Sequence, residues 1–277
     1  MTTLRVEIVG DPALLEPWYD GAGSQKDNLC GVYWADIAVQ AFTEHRFVDE
    51  EDAALVAGTV VPEGPTDPTV SFPWHGDGPR GPVAPSWPYR LDLPSSTDDD
   101  ALGTSAHGVA RAINELAQGE LAVMPLRSKK WTSNLVNDLI GCLSALDEPR
   151  LLAIANVGTA GFETSLHSLS DLLAVVMSGA ALPERAGDWD VGHFVSLAGL
   201  IHGPAGDLAI VRDTYRLLGG RGYHLQPLAN VAAALHRGGT GAGGVLVIGP
   251  STVVAAARAA VARLGLIEEL WDNGSPI

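Results

Sequence analysis

The chain has 277 residues, 46% of them hydrophobic, which is enough to bury the core of one large domain. Seventeen Lys plus Arg stand against 33 Asp plus Glu, a formal charge of −16, and no basic run exceeds Arg127-Ser128-Lys129-Lys130. That argues against nucleic acid as a partner and against an anionic membrane surface. No apolar run reaches the roughly 18 residues of a membrane span, and only a short apolar segment precedes Gly10-Asp11-Pro12, so a cytoplasmic location is expected.

In chain order, residues 4–9 alternate as a short strand and residues 13–19 suit a helical turn. Residues 24–42, SQKDNLCGVYWADIAVQAF, are the stretch around which the reading turns. Asp27 and Asn28 suit the cap of a helix, on which Tyr33, Ile37, Ala38 and Ala41 recur as one buried face. Cys30 then falls in the first helical turn. Unpaired N–H groups there favour an anion and can lower a thiol pKa below about 8.5. Five residues upstream, Gln25 offers an amide donor for a tetrahedral oxyanion.

Residues 50–60 read as a helix ending at Gly58. Nine of the 18 prolines lie between Pro62 and Pro94, with Trp74 and Trp87. This density rules out regular helix or sheet and predicts a Pro-rich insertion at about residues 60–100, an ordered loop that serves as a lid, a substrate wall or a surface cover. Asp98 to Asp100 read as a solvated acidic run. Helices are expected over 104–118 and 132–146, and strands over 120–126 and 150–157, the last apolar enough for a sheet centre. Cys142 shares an apolar stripe with Leu135, Leu139 and Leu146, the pattern of a structural thiol. A helix over 168–178 follows, and residues 251–264 form a last amphipathic helix that closes the core or offers a dimer face.

The second informative stretch is residues 188–216. Two strand-like runs, HFVSLAGLI and DLAIVRDTY, flank the turn-forming HGPAGD, the pattern of an antiparallel hairpin. His193 and Asp213 each lie ten residues from Gly203. Pairing near that register sets them opposite or diagonal, with Cβ atoms about 4.5–8 Å apart. His202 and His224 fall in or beside predicted turns and are expected to be solvated, with cleft lining as the alternative for His224. Trp189 either packs over the His193 ring or anchors its strand.

Other sites lack support. Residues 239–244 satisfy G-x-G-x-x-G, but a helix-like segment precedes them and a strand follows, the reverse of a dinucleotide fold. No His-Glu-x-x-His and no Cys-x-x-Cys is present, and two cysteines make no disulfide framework. Neither a cofactor nor a metal is expected.

Cysteine, histidine, carboxylate and amide donor are the parts of thiol-based acyl transfer. Cys30 would attack a carbonyl, His193 would accept the thiol proton and pass it to the leaving amine, Asp213 would orient the ring, and Gln25 with the Cys30 N–H would bind the oxyanion. Gln25, Cys30-Gly31 at a helix start, His193-Phe194-Val195 on one strand and Asp213 on the next resemble the papain-fold cysteine peptidases. They are most similar to the bacterial branch of double-glycine leader peptidases and related C39-type domains, and the chain looks like a little-characterised bacterial family of that type. The resemblance implies an α+β papain-like fold, an N-terminal helix bearing the cysteine packed on an antiparallel sheet bearing the histidine and the acid. It gives the same four residues the same roles. The chain departs from the pattern in spacing Gln25 five rather than six residues before Cys30, and in placing Thr214-Tyr215 where many relatives have proline.

The reading is therefore one domain over residues 1–277, cleaving an amide in a peptide or peptide-like substrate through an acyl-enzyme on Cys30. Leader-peptide or natural-product maturation follows from the resemblance. The alternatives are an acyltransferase using the same thioester, and a catalytically silent peptide-binding protein. Oligomeric state is left open.

Overall fold

The structure is a computed structural model that describes residues 4–46, 49–64, 89–162, 169–182, 190–216, 218–237 and 242–276. Its elements in order are β1 (Arg5–Ile8), α1 (Pro12–Ala22), α2 (Cys30–Phe42), α3 (Glu50–Ala57), β2 (Val61–Pro62), β3 (Ser95–Ser96), α4 (Ala106–Leu116), β4 (Leu121–Leu126), α5 (Ser133–Ser144) and β5 (Leu152–Gly158). Then come α6 (Leu169–Ser178), β6 (Gly192–His202), β7 (Asp207–Arg212), β8 (Tyr223–Pro227), α7 (Leu228–His236), β9 (Gly244–Pro250) and α8 (Ser251–Val261). The class is α+β.

Six strands lie in the order β4-β9-β5-β6-β7-β8, all antiparallel, and β1 pairs with the far half of β6. The alternation of strand side chains sorts the core into two. Leu152, Ile154, Phe194, Leu246 and Ile248 face the N-terminal helices, while Ala153, Ala155, Val157, Val195, Val245 and Val247 face α5, α7 and α8. The central position of β5 matches its unbroken apolar run.

Helix α2 lies between the sheet and the other N-terminal helices, touching α1, α3 and α4 as well as β5, β6 and β9. It is therefore buried nearly all round, from Gly31 to Val39, rather than on the one face that spacing suggests. The cap also differs. Leu29 is the N-cap and makes no side-chain hydrogen bond. Asp27 instead accepts from the Asn28 N–H at 3.1 Å, and Asn28 takes a left-handed φ of +59°, so the polar pair shapes the turn before the helix.

The ends of the Pro-rich segment meet where β2 and β3 pair in parallel, Val61 beside Ser95. Residues 65–88, with Trp74 and Trp87, lie outside the described residues, as do Trp189 and the first three residues of the glycine-rich run 239–244. Asp98 to Asp100 are exposed, as their charge requires. The histidines in the second half are less solvated than their turn-like surroundings suggest. His224 is only 9% exposed because it sits on β8, and His202 is half-buried between Glu7 and Asp207. No helix among the described residues is long and apolar enough to cross a membrane.

Candidate active site

Cys30 is the first residue of α2 and half-buried. Two anchors fix the loop before it. Gln25 donates its backbone N–H to the Thr214 carbonyl at 3.3 Å. Lys26 pairs with Asp49 and Glu51, and its N–H donates to Glu50 at 3.0 Å, tying the loop to the start of α3. Gly31 then allows a close approach: a Cβ there would stand 2.7 Å from Val109 Cγ2 and 3.0 Å from the Phe194 ring. The absent side chain brings the first turn of α2 against the start of β6.

His193 is the second residue of β6 and is 3% exposed. The β6–β7 hairpin pairs His202 with Asp207, and Ser196 with Arg212, with a register shift between Leu197 and Gly199. One step beyond Arg212, Asp213 falls opposite Val195 and so diagonal to His193. Its Oδ1 lies 3.1 Å from His193 Nε2 and also accepts the Tyr215 N–H at 2.9 Å. The Asp213 backbone is held in turn, its carbonyl accepting from the Tyr19 hydroxyl at 2.7 Å and its N–H donating to Gly222 at 2.8 Å.

The Cys30 sulfur is close enough to the same imidazole to interact with its charge. Burial disfavours a charged ring, yet the Asp213 carboxylate and the Cys30 sulfur outweigh it and push the His193 pKa up to about 10. Burial likewise disfavours the Asp213 carboxylate, but His193 and then His224 hold it well below the usual range. The geometry favours an ionised Asp213 beside an imidazolium.

Gln25 is buried within the same group. Its Oε1 accepts from the Thr214 hydroxyl at 2.5 Å, while Nε2 donates to the Lys26 carbonyl at 3.1 Å and the Tyr215 hydroxyl at 3.3 Å. Both amide hydrogens are thus engaged. An incoming oxyanion would have to displace one of these acceptors.

Three further side chains complete the surroundings. The Tyr215 ring stacks on His193, centroids 5.6 Å apart and planes 16° apart, so a described aromatic covers the imidazole independently of Trp189. On β5, Asn156 donates to the His193 carbonyl at 3.3 Å and accepts from Arg237 and Trp271. His224 stands on the far side of Asp213, its Nε2 3.7 Å from Oδ2. A lone asparagine within the apolar run RLLAIANV signals a buried polar group with fixed partners. Nothing comparable marks Tyr215, which follows Asp213 by two positions and reaches the site only through the turn after β7. Cys142 is half-buried against the opposite core, where burial and then Asp138 push its thiol pKa up. Among the described residues no group of three His, Cys, Asp or Glu could hold a metal ion.

No curated protein matches the chain. Among solved structures, a Bacillus anthracis protein described as a candidate C39-like peptidase is similar at 12% identity and a TM-score of 0.41, over 88% of this chain and 97% of that one. The model of a family described as a family of unknown function, DUF6885, matches residues 10–272, and the chain belongs to that family.

Proposed function

We propose that this protein is a thiol-dependent enzyme of papain-like architecture that cleaves an amide bond in a peptide or peptide-like substrate. The observation that carries the reading is the convergence of Cys30, His193 and Asp213, from the start of one helix, one strand and the end of the next, with His193 hydrogen-bonded to Asp213 and within electrostatic reach of Cys30. With Nε2 turned to Asp213, Nδ1 is the nitrogen that exchanges a proton with the thiol. The thiolate attacks the carbonyl carbon, and the imidazolium then protonates the departing amine. In the second half, His193 takes a proton from water, hydroxide attacks the thioester, and the thiol leaves with that proton.

Asp213 keeps the ring oriented and its positive charge compensated. The tetrahedral oxyanion faces the first turn of α2, where no side chain occupies the cap. Gln25 contributes a second donor once its amide releases Lys26 or Tyr215. The chain is read as one domain carrying a Pro-rich insertion, acting in the cytoplasm without cofactor, with maturation of a peptide precursor as its concrete task.

The test begins with iodoacetamide alkylation of Cys30, located by mass spectrometry across pH, in the parent and in His193→Ala. Labelling in the parent should be at least about tenfold faster near neutral pH. Slow labelling that is indifferent to His193 would remove the pair. A peptide library incubated with the parent should then yield new termini that vanish in Cys30→Ala, and added amines should leave the hydrolysed product unchanged. Amine-capped products would make the enzyme a transferase.

A further inference from the structure

Arg237 follows α7 in left-handed backbone, at φ +45° and ψ +43°. Any residue with a Cβ is strained there, and a glycine would not be. The strain accompanies a specific placement. Arg237 is 9% exposed, and its Nη1 donates to Asn156 Oδ1 at 3.0 Å and to the Asn273 carbonyl at 2.7 Å. Both acceptors are neutral. Among the described residues Nε is buried without a hydrogen-bond partner, and no carboxylate forms an ion pair with the guanidinium. In a chain with 33 acidic residues, a buried cation with no carboxylate in ion-pair contact is a costly exception.

The guanidinium lies beside the candidate site. A Cβ on Gly192 would stand 2.3 Å from Nη2, so the glycine immediately before His193 makes room for this side chain. Asn156 links the two residues, holding the His193 carbonyl with its amide nitrogen and Arg237 with its oxygen. Burial lowers the guanidinium pKa, against the charges of Cys30 and Asp272, which puts Arg237 within electrostatic reach of the thiol. Nη1 is engaged and Nε is buried, so Nη2, lying over Gly192, is the donor left for an incoming carboxylate.

We propose that Arg237 is a substrate-recognition residue, which receives a carboxylate of the peptide substrate beside Cys30. The proposal rests on the thiol-enzyme reading and names the substrate class: a peptide bearing a carboxylate close to the bond attacked. Either an acidic side chain or a free C-terminus could supply that group.

Three thiol reagents of similar size separate the cases: bromoacetyl-alanine amide, which is neutral; bromoacetyl-alanine, with a terminal carboxylate; and bromoacetyl-glutamic acid α-amide, with a side-chain carboxylate. Second-order rates of Cys30 alkylation are measured at pH 7 in the parent, Arg237→Gln and Arg237→Lys. One anionic reagent or both should outpace the neutral one in the parent, and whichever does identifies the source of the carboxylate. That advantage should fall about tenfold in Arg237→Gln, the effect of one partly desolvated charge pair, and be partly kept in Arg237→Lys. Neutral alkylation should change less than about threefold in both variants.

No anionic advantage in the parent overturns the proposal, and this arm decides even where Arg237→Gln does not fold. An advantage undiminished in Arg237→Gln also overturns it, because the attraction would then come from His193 alone. The underlying enzyme reading fails separately, through a neutral-reagent rate that is unaffected by His193→Ala.

Discussion

The Nε2 atom of His224 faces Oδ2 of Asp213 at 3.7 Å, and among the described residues neither atom has a hydrogen-bond partner. The contact is too long for a full hydrogen bond but close enough to orient both groups. Gln226 Nε2 lies 3.0 Å from His224 Nδ1. An amide N–H donating to Nδ1 leaves the proton of a neutral ring on Nε2, directed at the carboxylate. Asp213 therefore stands between two histidines, one towards Cys30 and one behind. Replacing His224 by Phe would keep the ring volume and remove the polar edge. Cys30 alkylation at pH 7 should fall by about three- to fivefold, the effect of one weak polar contact of up to about 1 kcal/mol. His224→Gln, which retains an N–H donor, should recover part of it. Equal rates in the parent and His224→Phe would reduce His224 to packing.

The His193–Asp213 pair also makes a stability prediction. The folded pKa of His193, about 10, exceeds the roughly 6.5 of an unfolded histidine. The folded state thus holds the proton more tightly. The stabilisation is complete below about pH 6.5 and is lost as pH rises towards 10. Urea unfolding between pH 7 and 10 should show stability declining in the parent. In His193→Gln that part of the slope should be missing, and Asp213→Asn should bring the His193 titration, followed by NMR, back towards the ordinary range.

Much of this arrangement was legible in the residues themselves. The turn residues 202–207 marked the hairpin; its centre lies at Pro204-Ala205 rather than Gly203, and the register shift near Ala198 is what sets Asp213 diagonal to His193. The helix beginning at Cys30 was visible from its apolar spacing. Its burial on every side was not, since that depends on α1, α3 and α4 closing round it, which no local pattern records. The burial of His224 stayed hidden for a related reason. YHLQP is too short to display strand alternation, and its burial depends on pairing with β7. Arg237 stayed hidden because an arginine after a helix ordinarily serves the exposed C-terminal end.

Asp36 offers a titration of the same sign in a lower pH window. It lies within α2 at 2% exposure, and Gln40 donates to it at 2.5 Å. Burial pushes its pKa up to about 7, against the Gln40 hydrogen bond and with help from the carboxylates of Glu50, Asp49 and Asp52. The folded pKa again exceeds the unfolded value, here about 3.9, but for an acid the ionised form is the one disfavoured. Folding is unpenalised below about pH 4, and a cost accumulates up to about pH 7 and stays constant above it. Asp36→Asn keeps an oxygen for Gln40 and removes the charge. It should stabilise the protein at pH 8 by about 1–3 kcal/mol and leave stability near pH 4 almost unchanged. A variant less stable at pH 8 would show that the carboxylate is compensated in the fold.

The close approach at Gly31 tests whether the site depends on how α2 meets the sheet. An alanine methyl at this position would come within 2.7 Å of Val109 Cγ2, inside any real carbon contact, and within 3.0 Å of the Phe194 ring, a fixed aromatic next to His193. Relief requires the first turn of α2 to move away from β6, carrying Cys30 with it. Gly31→Ala should destabilise the protein by about 1–3 kcal/mol and slow Cys30 alkylation, because the thiol leaves the imidazole. Val109→Ala removes the nearer clash at the cost of a small cavity, so the double variant should be more stable than the two separate losses predict. The Phe194 contact persists in that background, so alkylation should recover only in part. Full recovery would place the whole obstruction on Val109, whereas none would locate it at the strand that carries His193.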